Sequence, residues 1–183
     1  MDLKKFSIAS TLFALLTTVV AQVYIPIGID RIAIQVVVVI LSGLISGPMV
    51  GLTAQLLYLM LFVFTPNTLN DTYFFTAFKD ASIGYQLSFP VVAFVAGYLG
   101  NESPLWKIAL GCIAAYTCYF IIGILINSLK TDVSIARYFN PKFNRIIILG
   151  FAKALITSLI YFGYLGIRKW KIENGNLKME NRK

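Results

Sequence analysis

One lysine of this sequence lies inside a predicted membrane-spanning helix, where a charged side chain is costly. Lys153 is eight positions after Arg145, about 12 Å along that helix. A lysine at the bilayer centre costs about 2.5–3.5 kcal/mol on insertion scales, and such residues usually face the helix bundle. All aspartates and glutamates lie outside the predicted spans. We predict that Lys153 binds the carboxylate of a ligand; the alternative is an ammonium that snorkels to the outer surface.

Amide side chains are the next candidates for ligand contact. Each can donate and accept hydrogen bonds, and within a membrane most bond a neighbouring helix. Gln35 and Gln86 lie within about one helical turn of the membrane surface that we predict below to be the outer one, at a depth close to that of Lys153. We therefore predict that these two contact a ligand. The others within or at the edges of spans are Gln22, Gln55 and Asn127.

Several kinds of chemistry have no residues to support them. The chain has no histidine, no G-x-S-x-G sequence and no paired carboxylates within a span, which argues against hydrolytic enzymes. It has no P-loop, so it does not energise transport by ATP alone. Cys112 and Cys118 are six residues apart in one apolar segment and suggest neither a disulfide nor a metal site.

The amino-acid composition indicates whether these residues lie in water or in a membrane. Hydrophobic residues make up 58% of 183 and charged residues 13%, whereas soluble domains average about 45–50% and about 25%. We therefore predict an all-α integral membrane protein, with a transmembrane bundle over residues 1–168 and a polar cytosolic tail over 169–183. The six predicted spans are Phe6–Tyr24, Ile32–Ile45, Met49–Phe64, Gly84–Leu99, Lys107–Leu129 and Ile146–Ile167.

The distribution of basic residues predicts the orientation. With six spans, both termini lie on one side of the membrane. That side holds nine of the 16 lysines and arginines and the opposite side six, with Lys153 inside a span. By the positive-inside rule both termini are cytosolic, in a multi-pass protein of the plasma membrane. The net charge of +8 belongs to loops and tails, so nucleic acid is not a predicted partner.

Small residues mark two faces where helices can approach closely. One face of the first helix carries Ser7, Ser10, Thr11, Ala14, Thr17, Thr18 and Ala21. It packs either within the chain or against another protein, and we predict a docking row of Ser10, Ala14 and Thr18. The second ridge is Gly43, Gly47 and Gly51, interrupted by Pro48, which predicts a tight helical pair with a minimal loop.

The order of several short motifs resembles the BioY family, the biotin-binding S components of energy-coupling-factor (ECF) vitamin transporters. The family has approximately I-P-x-P-x-x-x-T-L-Q, then L-G-P-x-x-G and a tyrosine, then P-T-G-G-Y-L-x-G-F, and finally D-x-x-K-A. The corresponding segments here are Ile25–Gly28 with Ile32–Gln35, Ile45–Gly51 with Tyr58, Ala81–Phe89, and Gly150–Ala154. Two positions depart from the family: Gly150 replaces an aspartate implicated in ureido recognition, and Ile83 replaces a glycine.

The resemblance implies a vitamin-binding subunit of a six-helix S-component type, with Lys153 suited to the carboxylate of biotin. It implies three partners, a transmembrane coupling protein and two cytosolic ATPases, and a first helix that docks the coupling protein. Biotin is a transported ligand here, and no cofactor is expected. The predicted substrate-binding residues are Lys153, Gln35, Gly84, Tyr85, Gln86 and Asn67.

Three alternatives to a biotin-binding subunit remain open from the sequence. The same architecture could bind another small carboxylate, such as lipoate or pantothenate. An intramembrane enzyme is disfavoured by the missing histidine and intramembrane acids. A membrane assembly subunit without a ligand would leave Lys153 merely snorkelling.

Overall fold

The computed structural model describes residues 2–27, 30–64, 83–100, 104–131 and 141–180. Within these ranges the chain forms seven helices and one antiparallel hairpin. The elements are α1 Leu3–Val20, β1 Tyr24–Ile27, β2 Asp30–Ala33, α2 Gln35–Ser46, α3 Pro48–Phe64, α4 Ile83–Leu87, α5 Phe89–Gly100, α6 Leu105–Thr131 and α7 Pro141–Glu180. The predicted six-helix bundle of a membrane protein is confirmed, because six of these helices have 12 residues or more and α4 is a five-residue helix next to α5.

Two regions differ from the sequence-based boundaries. The first span was expected to reach Tyr24, but α1 ends at Val20 and the next residues form the hairpin, with Tyr24 opposite Ala33 and Ile27 opposite Asp30. The last helix, α7, has 40 residues, about 60 Å, and it continues past both ends of the predicted last span, Ile146–Ile167.

In the described part of the chain, three helices are long and apolar enough to cross a membrane: α1, α6 and α7. The shorter apolar helices α2, α3 and α5 pack against one another at the centre of the bundle. Around them, α1 contacts α2 and α3, α6 contacts α5 and α4, and α7 contacts α6 and α2. Many large apolar side chains on α1 and α7 are exposed, Leu12, Leu15, Val19, Phe151, Leu155 and Leu159 among them. In a bilayer these side chains face lipid.

Glycines allow the three central helices to approach to backbone contact. Gly47 alone separates α2 from α3, and its φ of 91° is a backbone conformation that residues with a Cβ rarely adopt. A Cβ on Gly43 would overlap the carbonyl oxygen of Ala93, and one on Gly97 would lie 2.6 Å from the carbonyl oxygen of Gly43. The predicted tight pair of helices is therefore present, with α5 as its third member.

A buried polar network joins α1 to the same centre. Gln55 on α3 is fully buried, and its Nε2 donates to Thr17 Oγ1 at 3.3 Å and to Ser42 Oγ at 3.2 Å. Ser10 and Ala14 are each 1% exposed, and α1 packs on α3. The docking row of Ser10, Ala14 and Thr18 stays a prediction, and the structure shows how its first two residues pack within the chain. Ser10 and Ala14 are enclosed within the chain because their small side chains let α1 approach α3.

Candidate ligand-binding site

A continuous set of aromatic rings lines the region between α3 and α7. Tyr58 lies 5.8 Å from Phe89 between ring centroids, Phe89 lies 6.2 Å from Tyr119, and Tyr119 lies 5.3 Å from Phe120. Rings at such spacing attract one another through offset and edge-to-face contacts. We call this set the aromatic wall; its members are Tyr58 and Phe62 on α3, Tyr85 on α4, Phe89 on α5, and Tyr116, Tyr119 and Phe120 on α6.

Gly150 brings the aromatic wall to the backbone of α7. A Cβ at Gly150 would lie 2.7 Å from Cε2 of Phe120 and 3.7 Å from Cδ1 of Tyr116. Because glycine has no side chain, the Phe120 ring occupies that space. The aromatic wall therefore ends against α7 about one helical turn before Lys153.

Lys153 is half-buried and lies 12 residues after the first residue of α7, about 18 Å along the helix. The neighbours on its side, Ala154, Thr157 and Ser158, are buried, whereas Phe151 and Leu155 are exposed. Thr157 Oγ1 donates to the Lys153 carbonyl at 2.6 Å, and Ser158 Oγ donates to the Leu155 carbonyl at 2.7 Å. These hydroxyls are satisfied within the helix, and the lysine supplies the positive charge of this face.

Four buried polar atoms near the aromatic wall have no hydrogen-bond partner among the described residues. Leaving such an atom unpaired costs about 1–3 kcal/mol, so each is a candidate contact for a ligand or water. The atoms are Gln35 Nε2, Tyr58 OH, Gln86 Oε1 and Tyr116 OH. Two further unpaired atoms, Ser10 Oγ on α1 and Gln55 Oε1 on α3, are on residues outside the aromatic wall.

The short helix α4 is held firmly on α6. The Gly84 N–H donates to Asn127 Oδ1 at 2.9 Å, and a Cβ on Gly84 would lie 2.7 Å from the carbonyl oxygen of Gly123. The Tyr85 ring packs directly over Gly123, with its centroid 5.0 Å from that of Tyr119. Gly84 thus acts through its backbone. It fixes α4 on α6, with the Tyr85 ring packed against α6.

The predicted site residues fall in three places. Gln35 begins α2, which packs against α3, the helix that carries Tyr58. Gly84, Tyr85 and Gln86 form most of α4, and Lys153 is on α7. Asn67 lies outside the described residues.

Sequence reasoning missed most of the aromatic wall. It predicted that Asn127 bonds a neighbouring helix, but not that its partner is the Gly84 N–H. A tyrosine in an apolar span needs a partner for its hydroxyl, and that signal could have pointed to Tyr58 and Tyr116.

These features define an integral membrane protein of S-component fold. The chain matches the crystal structure of the S component for biotin from an ECF-type ABC transporter with a TM-score of 0.65, over 88% of this chain and 92% of that one, at 17% identity. That likeness concerns the fold. The profile of the BioY family matches residues 1–169, and the chain therefore belongs to the BioY family. A relative from Pyrococcus horikoshii named "probable biotin transporter BioY" is 29% identical over 161 residues, 87% of this chain and 90% of that one.

Proposed function

We propose that this chain is the biotin-binding S component of an ATP-driven ECF-type importer. Its membership of the BioY family over residues 1–169 carries the proposal. Support comes from the relative named as a biotin transporter and from the shared fold with an S component for biotin. The site is chemically suited to biotin, which combines a carboxylate, an aliphatic chain and a polar bicyclic head.

Lys153 is the proposed partner of the biotin carboxylate. A half-buried ammonium within a span attracts an anion more strongly than it would in water, because the surrounding medium screens the charge less. The aromatic wall, which meets α7 at Gly150, offers apolar contact for the chain and the ring sulfur. Gln35, Tyr85 and Gln86 contribute side chains, Gly84 its backbone, and Asn67 is retained as a proposed contact from the outer loop.

The chain works as a transporter subunit and not as an enzyme. Because its sequence has no G-x-x-x-x-G-K-[ST] stretch, ATP hydrolysis falls to partner ATPases. We place it in the plasma membrane with both termini in the cytosol, where a transmembrane coupling protein and two ATPases would engage it. Thr18 is the one member of the predicted docking row that is not fully buried.

Calorimetry on the purified protein in detergent tests the proposal. Biotin, lipoate and pantothenate are titrated separately into the wild-type protein. We expect biotin to bind at least tenfold more tightly than the other two. Tighter binding of lipoate or pantothenate would overturn biotin as the substrate, and no heat with any of the three would remove the proposed vitamin-binding function.

A further inference from the structure

The Phe120 ring lies where a side chain of residue 150 would be. A Cβ built on Gly150 would be 2.7 Å from Cε2 of Phe120 and 3.0 Å from its Cζ, whereas carbon atoms pack best at about 3.5–4.0 Å. The contact therefore needs both a ring at position 120 and no side chain at position 150. Gly150 is one of the two positions at which the sequence departs from the BioY motifs, so this contact is a feature of the chain itself.

Other contacts hold the ring at the flank of α6 that faces α7. Its edge meets the Tyr119 ring at 5.3 Å between centroids and an interplanar angle of 68°. On the same helix Ile121 is exposed and Tyr116 is buried, so Phe120 lies between the outer face of α6 and the core. The ring is half-buried, and part of its surface is left for another group to contact.

Lys153 reaches back toward this ring. It follows Gly150 by three positions, so the two residues are neighbours on one face of α7, about 5–6 Å apart at Cβ. Helical side chains extend toward the N-terminal end of their helix, so the lysine stem runs toward the turn that carries Gly150 and the Phe120 ring. A carboxylate bound by Lys153 would therefore have its first methylene groups beside that ring.

We infer that Phe120 is a specificity-determining residue, which closes the α6–α7 side of the carboxylate end of the site and admits only an unbranched chain there. This inference rests on the proposed function, in which Lys153 pairs with the biotin carboxylate. Biotin has an unbranched methylene group next to its carboxylate and fits beside the ring. Methyl groups at that carbon would overlap Phe120 or draw the carboxylate away from Lys153, and packed sites resist such added volume.

The test compares biotin with its 2,2-dimethyl derivative, which carries two methyl groups on the carbon next to the carboxylate and adds no stereocentre. Dissociation constants are measured by calorimetry in detergent. We expect the wild type to bind biotin about tenfold more tightly than the derivative, because the ring leaves no room for the methyl groups. Phe120→Ala should bring the two constants within about twofold, since the space left by the ring accepts the methyl groups. Phe120→Leu fills part of that space and should fall between.

A double-mutant cycle tests whether positions 120 and 150 act together. Gly150→Ala forces the Phe120 ring to move, because the new methyl group would lie within 3 Å of it. We expect this substitution to weaken biotin binding about tenfold in the wild type and to have little effect in Phe120→Ala, where the ring is absent. Effects that simply add would contradict the inference.

Phe94→Ala is the matched control. Phe94 is also half-buried and stacks on Tyr98 with centroids 6.0 Å apart, but it lies outside the aromatic wall. This variant should keep the wild-type ratio of the two constants, and such ratios do not depend on the folded fraction. The inference is wrong if the wild type binds both ligands alike, if Phe120→Ala keeps the wild-type ratio, or if Phe94→Ala lowers it equally. A wild type that binds no biotin would instead refute the proposed function.

Discussion

At the scale of single residues, Lys153 combines charge, depth and partial burial in a way that predicts a role in binding. It lies about 18 Å along α7, beside the buried Ala154 and Thr157. A charge at this depth is retained against an insertion cost of about 2.5–3.5 kcal/mol. A ligand carboxylate would offset that cost through a charge-assisted hydrogen bond, which is stronger than a neutral one.

Lys153→Ala should weaken biotin binding by about 10- to 150-fold, because hydrogen bonds to charged groups contribute about 1.5–3 kcal/mol. Biotin methyl ester should bind the wild type much more weakly than biotin does, and it should bind Lys153→Ala about as well as biotin does. Calorimetry with both ligands and both proteins measures this coupling as a double-mutant cycle.

Lys153→Arg is the control that keeps charge while changing shape, and it should bind with intermediate affinity, since a planar guanidinium is not a geometric replacement for an ammonium. Equal loss of affinity for the ester in the wild type and in Lys153→Ala would show that the carboxylate binds elsewhere.

The sequence could predict that Lys153 lies inside a membrane span, because the depth of a residue in a span follows from the local sequence. It could also select Gln35 as a candidate ligand contact, which stays a prediction. Contacts between side chains of different helices were beyond it, since such residues meet only when the helices pack together. Asn127 illustrates the same limit: its bond to the Gly84 N–H joins residues 43 positions apart.

At the scale of helices, the crossing of α2, α3 and α5 sets the positions of the site residues. Gln35 and Tyr58 are carried by α2 and α3, and Phe89 by α5. Without a hydrophobic driving force between helices in lipid, close backbone packing is a main source of their association. Gly43 and Gly97 lie where α2 meets α5. A larger side chain at either position should therefore shift the helices that carry the site residues.

Gly43→Ala should destabilise the protein by about 1–3 kcal/mol, the usual cost of adding volume to a packed core. The new methyl group would overlap the carbonyl oxygen of Ala93, which is backbone and cannot rotate away. Thermal unfolding in detergent, followed by tryptophan fluorescence, measures the effect.

Gly163→Ala on α7 is the matched control, because nothing lies within 4 Å of a Cβ built there. It should be neutral or slightly stabilising, as alanine favours helices over glycine. If both alanine variants unfolded at the wild-type temperature, the close crossing of α2 and α5 would be refuted.

Helix-level prediction succeeded where the signal was local and failed where it was not. Gly47 and Pro48 mark the break between α2 and α3, because a glycine tolerates the required φ and a proline fits the first turn of a helix. The β1–β2 hairpin was missed, since the predicted spans end at Tyr24 and resume at Ile32, and composition does not show that Tyr24–Ile27 pairs with Asp30–Ala33. The small residues of α1 correctly indicated close packing, but composition alone could not identify α3 as the neighbour.

At the scale of the whole molecule, the two tryptophans indicate one membrane boundary. Trp106 and Trp170 are both largely exposed, near the start of α6 and far along α7. Tryptophan is enriched where hydrocarbon meets water, and the Lys107 ammonium lies 5.4 Å from the centroid of the Trp106 ring. From Pro141 to Trp170 is about 44 Å of helix, close to the thickness of a bilayer with its headgroups. Both tryptophans therefore suit the same side, the one predicted to be cytosolic.

Cysteine labelling in intact cells tests this orientation at the two ends of the long helices. The native Cys112 and Cys118 are first replaced by alanine, and one cysteine is then introduced as Lys130→Cys or Lys169→Cys. Both positions are exposed; one lies near the end of α6, and the other lies just after the predicted last span, Ile146–Ile167. A membrane-impermeant maleimide should label Lys130→Cys in intact cells and Lys169→Cys only after the cells are opened, because the basic residues that follow Ile167 favour the cytosol. The cysteine-free protein controls for background. Labelling of Lys169→Cys in intact cells would invert the orientation, and labelling of both would contradict an odd number of crossings between the two positions.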